Sequence, residues 1–102
     1  MAKKRSRNIH PISGTEKAFG QALREVRKGR KISQEDLGLE ADFDRTFVSL
    51  IERGIQSPTV RTVVRLANVL QVRPSIIVRK MEQILDAAGQ EPATVSKGRE
   101  SK

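Results

Sequence analysis

Apolar residues recur in the middle of the chain with the spacing of three and four that is typical of helices. In one segment they stand at positions i, i+3, i+4 and i+7 and share one helical face: Phe19, Ala22, Leu23 and Val26. Similar stripes recur in two later segments: Val60, Val63, Leu66, Ala67 and Leu70, then Ile76, Ile77, Met81, Ile84 and Leu85. No segment of any length alternates apolar and polar residues as a half-buried strand does. The pattern therefore predicts a small all-α domain.

Small polar residues divide this pattern into five predicted helices. A helix is stabilised when the residue before it accepts a hydrogen bond from an amide of the first turn, and five residues are placed to do so: Thr15, Ser33, Asp44, Thr59 and Ser75. The helices that follow these caps cover about 16–29, 34–41, 45–53, 60–70 and 76–88. Gly54 ends the third helix, because glycine readily adopts the conformation that closes a helix.

The two ends of the chain lack helical periodicity. Residues 1–14 contain proline, glycine and four basic residues, and they are predicted to form a flexible basic arm. Residues 89–102 are polar and are predicted to form a flexible tail. The predicted domain therefore covers residues 15–88, and we expect neither a second domain nor a secretory signal.

The net charge of +8 favours an anionic partner. The excess of basic over acidic residues is +4 in residues 1–14, +3 in residues 15–88 and +1 in residues 89–102. Nucleic acid would be attracted by such a chain. The charge alone is equally compatible with a basic protein that has no polyanionic partner.

The composition argues against several kinds of site and against a membrane span. The chain has no cysteine, which excludes disulfides, thiolate metal sites and a cysteine nucleophile. No apolar run approaches the roughly 20 residues of a membrane span. The acidic residues are scattered, and His10, the single histidine, has no cysteine near it in the sequence. We therefore expect no enzymatic activity, no metal and no cofactor.

The second and third helices are joined by a link so short that they must cross steeply, as in a helix-turn-helix. Asp42 tolerates the left-handed conformation that such a turn needs, and Phe43 is placed to plug the junction with the fourth helix. The third helix directs Val48 and Ile51 inward. Its other side carries residues that fit the major groove of DNA: Arg45, Thr46, Ser49 and Leu50. Arg45 can bind guanine through two hydrogen bonds, and Leu50 can contact a thymine methyl group.

Residues 19–78 resemble the lambda-repressor-like (Xre/Cro-type) helix-turn-helix family. Four segments carry the resemblance: "LREVRKGRKISQEDL", "DRTFVSLIERG", "SPTVRTVVRLANVL" and "VRPSIIV". The resemblance implies a compact five-helix domain whose second and third helices read DNA. The chain departs from the family in having Gly38 where alanine is usual, which is expected to cost about 1 kcal/mol of helix stability. Asp42 likewise replaces the usual glycine of the turn.

The resemblance also implies roles for individual residues. Those expected to read bases are Arg45, Thr46, Ser49 and Leu50. Those expected to contact DNA phosphates are Gln34, Arg53, Gln56, Ser57 and Thr59. Arg27 and Glu52 match a buried ion pair that joins the first helix to the third.

The function expected from these features is sequence-specific regulation of transcription in the cytoplasm, at the nucleoid. A homodimer formed through the fifth helix, whose apolar residues exceed those of a single face, is expected to bind an inverted repeat in double-stranded DNA. The alternative is an antitoxin or another partner-binding module whose DNA binding is secondary. Residues 89–102 would then hold the protein partner.

Overall fold

The computed structural model describes residues 14–89, which form five helices and no strand within that range. The helices are α1 (Thr15–Gly29), α2 (Gln34–Ala41), α3 (Arg45–Glu52), α4 (Val60–Leu70) and α5 (Pro74–Gly89). The predicted all-α class and the number of helices are confirmed. The predicted arm and tail lie outside the described residues, apart from Gly14 and Gly89.

Three of the predicted N-caps are present. The Ser33 hydroxyl accepts a hydrogen bond from the Asp36 amide at 3.0 Å, before α2. An Asp44 carboxylate oxygen accepts one from the Thr46 amide at 3.1 Å, before α3. The Thr59 hydroxyl accepts one from the Thr62 amide at 3.1 Å, before α4. Each bond satisfies an amide that has no partner within its own helix.

The other two predicted caps are wrong. Thr15 is the first residue of α1, and the cap position is held by Gly14, whose φ of 84° lies in the left-handed region that favours glycine. Ser75 lies inside the first turn of α5, which begins at Pro74. Proline fits the first position of a helix because its φ is already helical and its missing amide hydrogen needs no partner there. One helix end also differs from the prediction. α3 ends at Glu52, one residue earlier than expected, and Arg53 is its C-cap.

One hydrophobic core holds the five helices together. α1 lies centrally and packs against both α3 and α5, while α2 packs against α3 and α4. Every helix contributes to the core, whose largest fully buried side chains are Leu23, Leu37, Val48, Ile51, Leu66, Leu70 and Ile77. Burying a side chain of this size contributes about 1.5–3 kcal/mol. The core therefore fixes α3 against α1 and leaves its opposite side free.

Candidate nucleic-acid interface

The turn between α2 and α3 sets the crossing of these two helices. Asp42 has φ 64° and ψ 42°, the left-handed conformation expected from the sequence. The Phe43 amide donates a hydrogen bond to the carbonyl oxygen of Gly38 at 2.7 Å, which closes the end of α2. Asp44 then caps α3, so the link between the two helices comprises only three residues.

Phe43 fills the junction of α2, α3 and α4. Its ring centroid lies 5.0 Å from that of Phe47 in α3, and the Arg65 guanidinium of α4 lies 5.0 Å above the Phe43 ring. Arg65 also donates a long hydrogen bond of 3.4 Å to the carbonyl oxygen of Ala41, at the end of α2. Arg65 thus anchors the turn through a cation–π contact. From the sequence alone, the position of Arg65 in α4 is indistinguishable from that of an ordinary surface arginine.

α3 has one buried side and one accessible side. Val48 and Ile51 are fully buried. Arg45 and Thr46, at the start of the helix, are exposed, whereas Ser49 and Leu50 are partly covered. The four residues expected to read bases therefore lie away from the core, and the first two are the most accessible.

The segment after α3 carries the expected phosphate-contacting residues. Arg53, Gln56 and Ser57 are exposed. Two consecutive amides, of Ile55 and Gln56, donate to the carbonyl oxygen of Leu50 at 2.9 and 3.2 Å, which ties this segment to the last turn of α3. Thr59 is also exposed, but its hydroxyl is engaged with the amide and hydroxyl of Thr62.

Arg27 of α1 and Glu52 of α3 form a buried ion pair. The Arg27 Nε and Nη2 groups donate to the two carboxylate oxygens of Glu52 at 2.6 and 2.9 Å. The side chains are only 9% and 3% exposed, so water does little to screen the attraction. Arg27 also donates to the carbonyl oxygen of Ile32 at 2.9 Å. The arginine therefore joins α1, the α1–α2 link and α3.

Gln34 belongs to the same network. Its amide nitrogen donates to Oε1 of Glu52 at 2.9 Å, and the side chain is half-buried. An amide nitrogen carries two hydrogens, so one donor of Gln34 remains after this bond. No sequence pattern indicates this contact, because the two residues are 18 positions apart and share no periodicity.

Neither a metal site nor a membrane-crossing helix is found among residues 14–89. No group of three or more histidine, cysteine or acidic side chains in this range is arranged to hold a metal ion. None of its helices has the length and apolarity to cross a bilayer.

Comparison with known proteins identifies one family. A helix-turn-helix family model matches residues 23–77. The chain is 37% identical over 57 residues to control protein C.BamHI of Bacillus amyloliquefaciens, covering 55% of this chain and 70% of that protein. It is 34% identical over 59 residues to the immunity repressor protein of Bacillus phage phi105, covering 58% of this chain but only 41% of the repressor.

A solved structure shares the fold. The restriction-modification controller protein C.AhdI from Aeromonas hydrophila superposes with a TM-score of 0.59 at 34% sequence identity, covering 60% of this chain and 92% of that protein. The lambda-repressor-like fold expected from the sequence is thereby confirmed.

Proposed function

The chain belongs to the helix-turn-helix family, and from that premise we propose that it is a sequence-specific transcriptional regulator that binds double-stranded DNA as a homodimer. The observation that carries this proposal is the two-sided character of α3. Its buried side is fixed by the core, and its accessible side begins with Arg45 and Thr46. A helix held in this way can enter the major groove, which is about 12 Å wide.

Base recognition is assigned to the accessible side of α3. Arg45 would donate two hydrogen bonds to a guanine, the commonest specific contact of arginine with DNA. Thr46 and Ser49 would bind base edges, and Leu50 would contact a thymine methyl group. The partial burial of Ser49 and Leu50 limits them to the bases that lie closest to the helix.

Phosphate contacts would fix the position of α3 in the groove. Gln34 would use its remaining amide hydrogen, and Arg53, Gln56 and Ser57 are exposed at the far end of α3. Thr59 would contribute through its backbone amide, because its hydroxyl already caps α4.

α5 is the proposed dimer interface. Ile76 and Val78 remain 44% and 42% exposed on this helix, on either side of the stripe that enters the core. They lie about 160° apart around the helix, so a second copy related by a twofold axis would cover at least one of them. The two α3 helices would then reach successive major grooves about 34 Å apart on an inverted repeat. Such a regulator would act in the cytoplasm, at the nucleoid.

The proposal is tested by selecting duplexes from a random library with the full chain and then measuring affinity by fluorescence anisotropy. Arg45→Ala is expected to weaken binding to the enriched sequence by about 1–3 kcal/mol and to relax the preference at one base pair. Arg73→Ala, which removes the same charge from the exposed α4–α5 link, is the matched control. Unchanged affinity and base preference in Arg45→Ala would contradict the assignment of α3 to base reading.

The alternative is an antitoxin or another partner-binding module whose DNA binding is secondary. Its candidate segment, residues 89–102, lies outside the described residues except for Gly89.

A further inference from the structure

A shallow depression lies beside α3, on the side facing α1. It has a volume of about 590 Å³ and is lined by Lys17, Gln21, Arg24, Glu52, Arg53 and Ile55. Lys17, Gln21 and Arg24 are spaced i, i+4 and i+7 along α1 and are all exposed. Lys17 and Arg24 belong neither to the Arg27–Glu52–Gln34 network nor to the accessible side of α3.

The cations of this depression are unpaired within the described part of the chain. Lys17, Arg24 and Arg53 form no ion pair or side-chain hydrogen bond with any residue between 14 and 89. By contrast, Lys80 on α5 has an acidic partner, since it lies 3.4 Å from Glu25.

Glu52, the acidic residue that lines the depression, and Glu25, which follows Arg24 in the chain, are both already engaged. The Glu52 carboxylate in the wall is 3% exposed and accepts hydrogen bonds from Arg27 and Gln34, so its charge is compensated inside the protein. Glu25 pairs with Lys80 and also accepts a bond of 3.3 Å from Gln21. The depression therefore presents three uncompensated positive charges to solvent.

The depression continues the surface that α3 would present to DNA. Arg53 lies one helical turn beyond Ser49, so it lies close to both areas. Lys17 lies against the segment that follows α3, because a Cβ built on Gly54 would come within 2.7 Å of the Lys17 Cα. Lys17 thus lies near the segment that carries Gln56 and Ser57.

We infer that Lys17 and Arg24, together with Arg53, bind phosphates of the DNA backbone that flanks the bases read by α3. This inference rests on the proposed function, to which it adds a contact surface on α1. Phosphate contacts of this kind raise affinity and its salt dependence, but they carry no direct information about sequence.

The test is the double variant Lys17→Gln/Arg24→Gln of the full chain. Glutamine keeps much of the aliphatic length and has a helix propensity close to those of lysine and arginine, so α1 should remain folded. Anisotropy is measured from 50 to 200 mM salt on a 30-base-pair duplex with the enriched sequence and on one of random sequence. Losing two phosphate contacts should make the slope of log K against log salt shallower by about 1.8 per protomer. Over this range the variant should therefore lose about 12-fold less affinity per bound protomer than the unmodified chain, which is about 150-fold less for the proposed dimer.

Two matched variants separate a local contact from a general effect of charge. Arg73→Gln/Arg79→Gln removes the same charge from exposed positions outside the depression and should leave the slope within about 0.5 of the unmodified value. Lys17→Arg/Arg24→Lys keeps both charges and should retain the full slope. Light scattering and thermal unfolding should show the same oligomeric state and stability for all variants.

The outcomes distinguish this inference from the proposed function. An unchanged slope in Lys17→Gln/Arg24→Gln, or an equal reduction in Arg73→Gln/Arg79→Gln, would overturn the inference while leaving base reading by α3 intact. If no sequence is enriched, the proposed function fails. The slopes on the random duplex would still decide whether α1 binds phosphate.

Discussion

At the scale of single residues, the Glu52 carboxylate joins the three helices that build the candidate interface. It accepts two hydrogen bonds from Arg27 of α1 and one from Gln34 of α2, while Glu52 itself ends α3. Moving these charges out of water is costly, and the geometry of the bonds offsets that cost. The network therefore holds α3 in a fixed orientation against its neighbours.

Arg27→Met is expected to lower the free energy of unfolding by about 3–5 kcal/mol, because it leaves the Glu52 carboxylate buried without a cation. Replacing both partners, as in Arg27→Met/Glu52→Leu, should cost less than the single change, since no charge remains uncompensated. Urea unfolding measures both variants. Glu25→Gln is the control: it breaks the exposed pair with Lys80 and should cost less than about 1 kcal/mol. If Arg27→Met and Glu25→Gln lowered the free energy of unfolding equally, burial would not be what makes the Arg27–Glu52 pair important for stability.

Gln34→Ala is expected to weaken DNA binding by about 1.5–3 kcal/mol, the range for a hydrogen bond to a charged group. The loss should be the same for every duplex sequence, since a phosphate contact carries no base preference. Anisotropy with the enriched duplex and with singly substituted duplexes gives the measurement. Gln83→Ala, at an exposed position of α5, should change nothing. A change of base preference in Gln34→Ala would instead place this side chain against a base.

At the scale of helices, two glycines allow the close contacts that position α3. A Cβ at position 20 of α1 would overlap the carbonyl oxygen of Ile51 in α3. A Cβ at position 38 of α2 would lie 2.9 Å from the carbonyl oxygen of Phe43 in the turn. Backbone oxygens cannot move away as the tip of a side chain can, so both contacts require glycine.

Gly38→Ala should therefore lower the free energy of unfolding by about 1–2 kcal/mol, although alanine is the better helix former. Gly20→Ala should lower it further, since its overlap is more severe. Gly29→Ala is the control, because a Cβ there meets nothing within 4 Å and the change should stabilise α1 by up to about 1 kcal/mol. Thermal and urea unfolding compare the three variants. Stabilisation by Gly38→Ala would show that the turn shifts at little cost.

The contrast at Gly38 shows how far sequence reasoning extends. Local signals predicted five helices, the left-handed Asp42 and three of the caps, because apolar spacing and capping chemistry act over a few residues. Helix propensity treated Gly38 as a cost, whereas the path of the turn makes its missing side chain necessary. The Gln34–Glu52 bond depends on how α2 and α3 cross. The grouping of Lys17 and Arg24 with Arg53 likewise depends on the crossing of α1 and α3. Neither the hydrogen bond nor this group of cations therefore appears as a pattern in the sequence.

At the scale of the whole molecule, charge and apolar surface are distributed differently. Half of the net charge of +8 comes from residues 1–14, and three exposed cations of the described residues line the depression between α1 and α3. Among residues 14–89, two of the exposed apolar side chains, Ile76 and Val78, lie on α5, which packs against α1 and α4. One part of the surface is therefore suited to an anion and another to an apolar partner. That separation allows a second copy to bind α5 without covering α3.

Ile76→Glu/Val78→Glu is expected to convert the proposed dimer into a folded monomer, because a carboxylate at a dimer contact would be buried without a partner. Glutamate is acceptable to the free monomer, since both positions are partly exposed and lie near the start of α5, where negative charge is favourable. Sedimentation equilibrium measures the oligomeric state, and anisotropy measures affinity for the enriched duplex.

Loss of the dimer should weaken binding to an inverted repeat far more than binding to a single half-site, since only the repeat requires two linked α3 helices. Val64→Glu is the control for added charge, because Val64 is 41% exposed, about as much as Ile76 and Val78, and it lies on α4 outside the proposed dimer and phosphate contacts. A variant at positions 76 and 78 that remains dimeric would assign the interface to another face. A monomer that bound the repeat as tightly as the unmodified chain would separate DNA recognition from dimerisation, and the spacing of about 34 Å between half-sites would lose its physical basis.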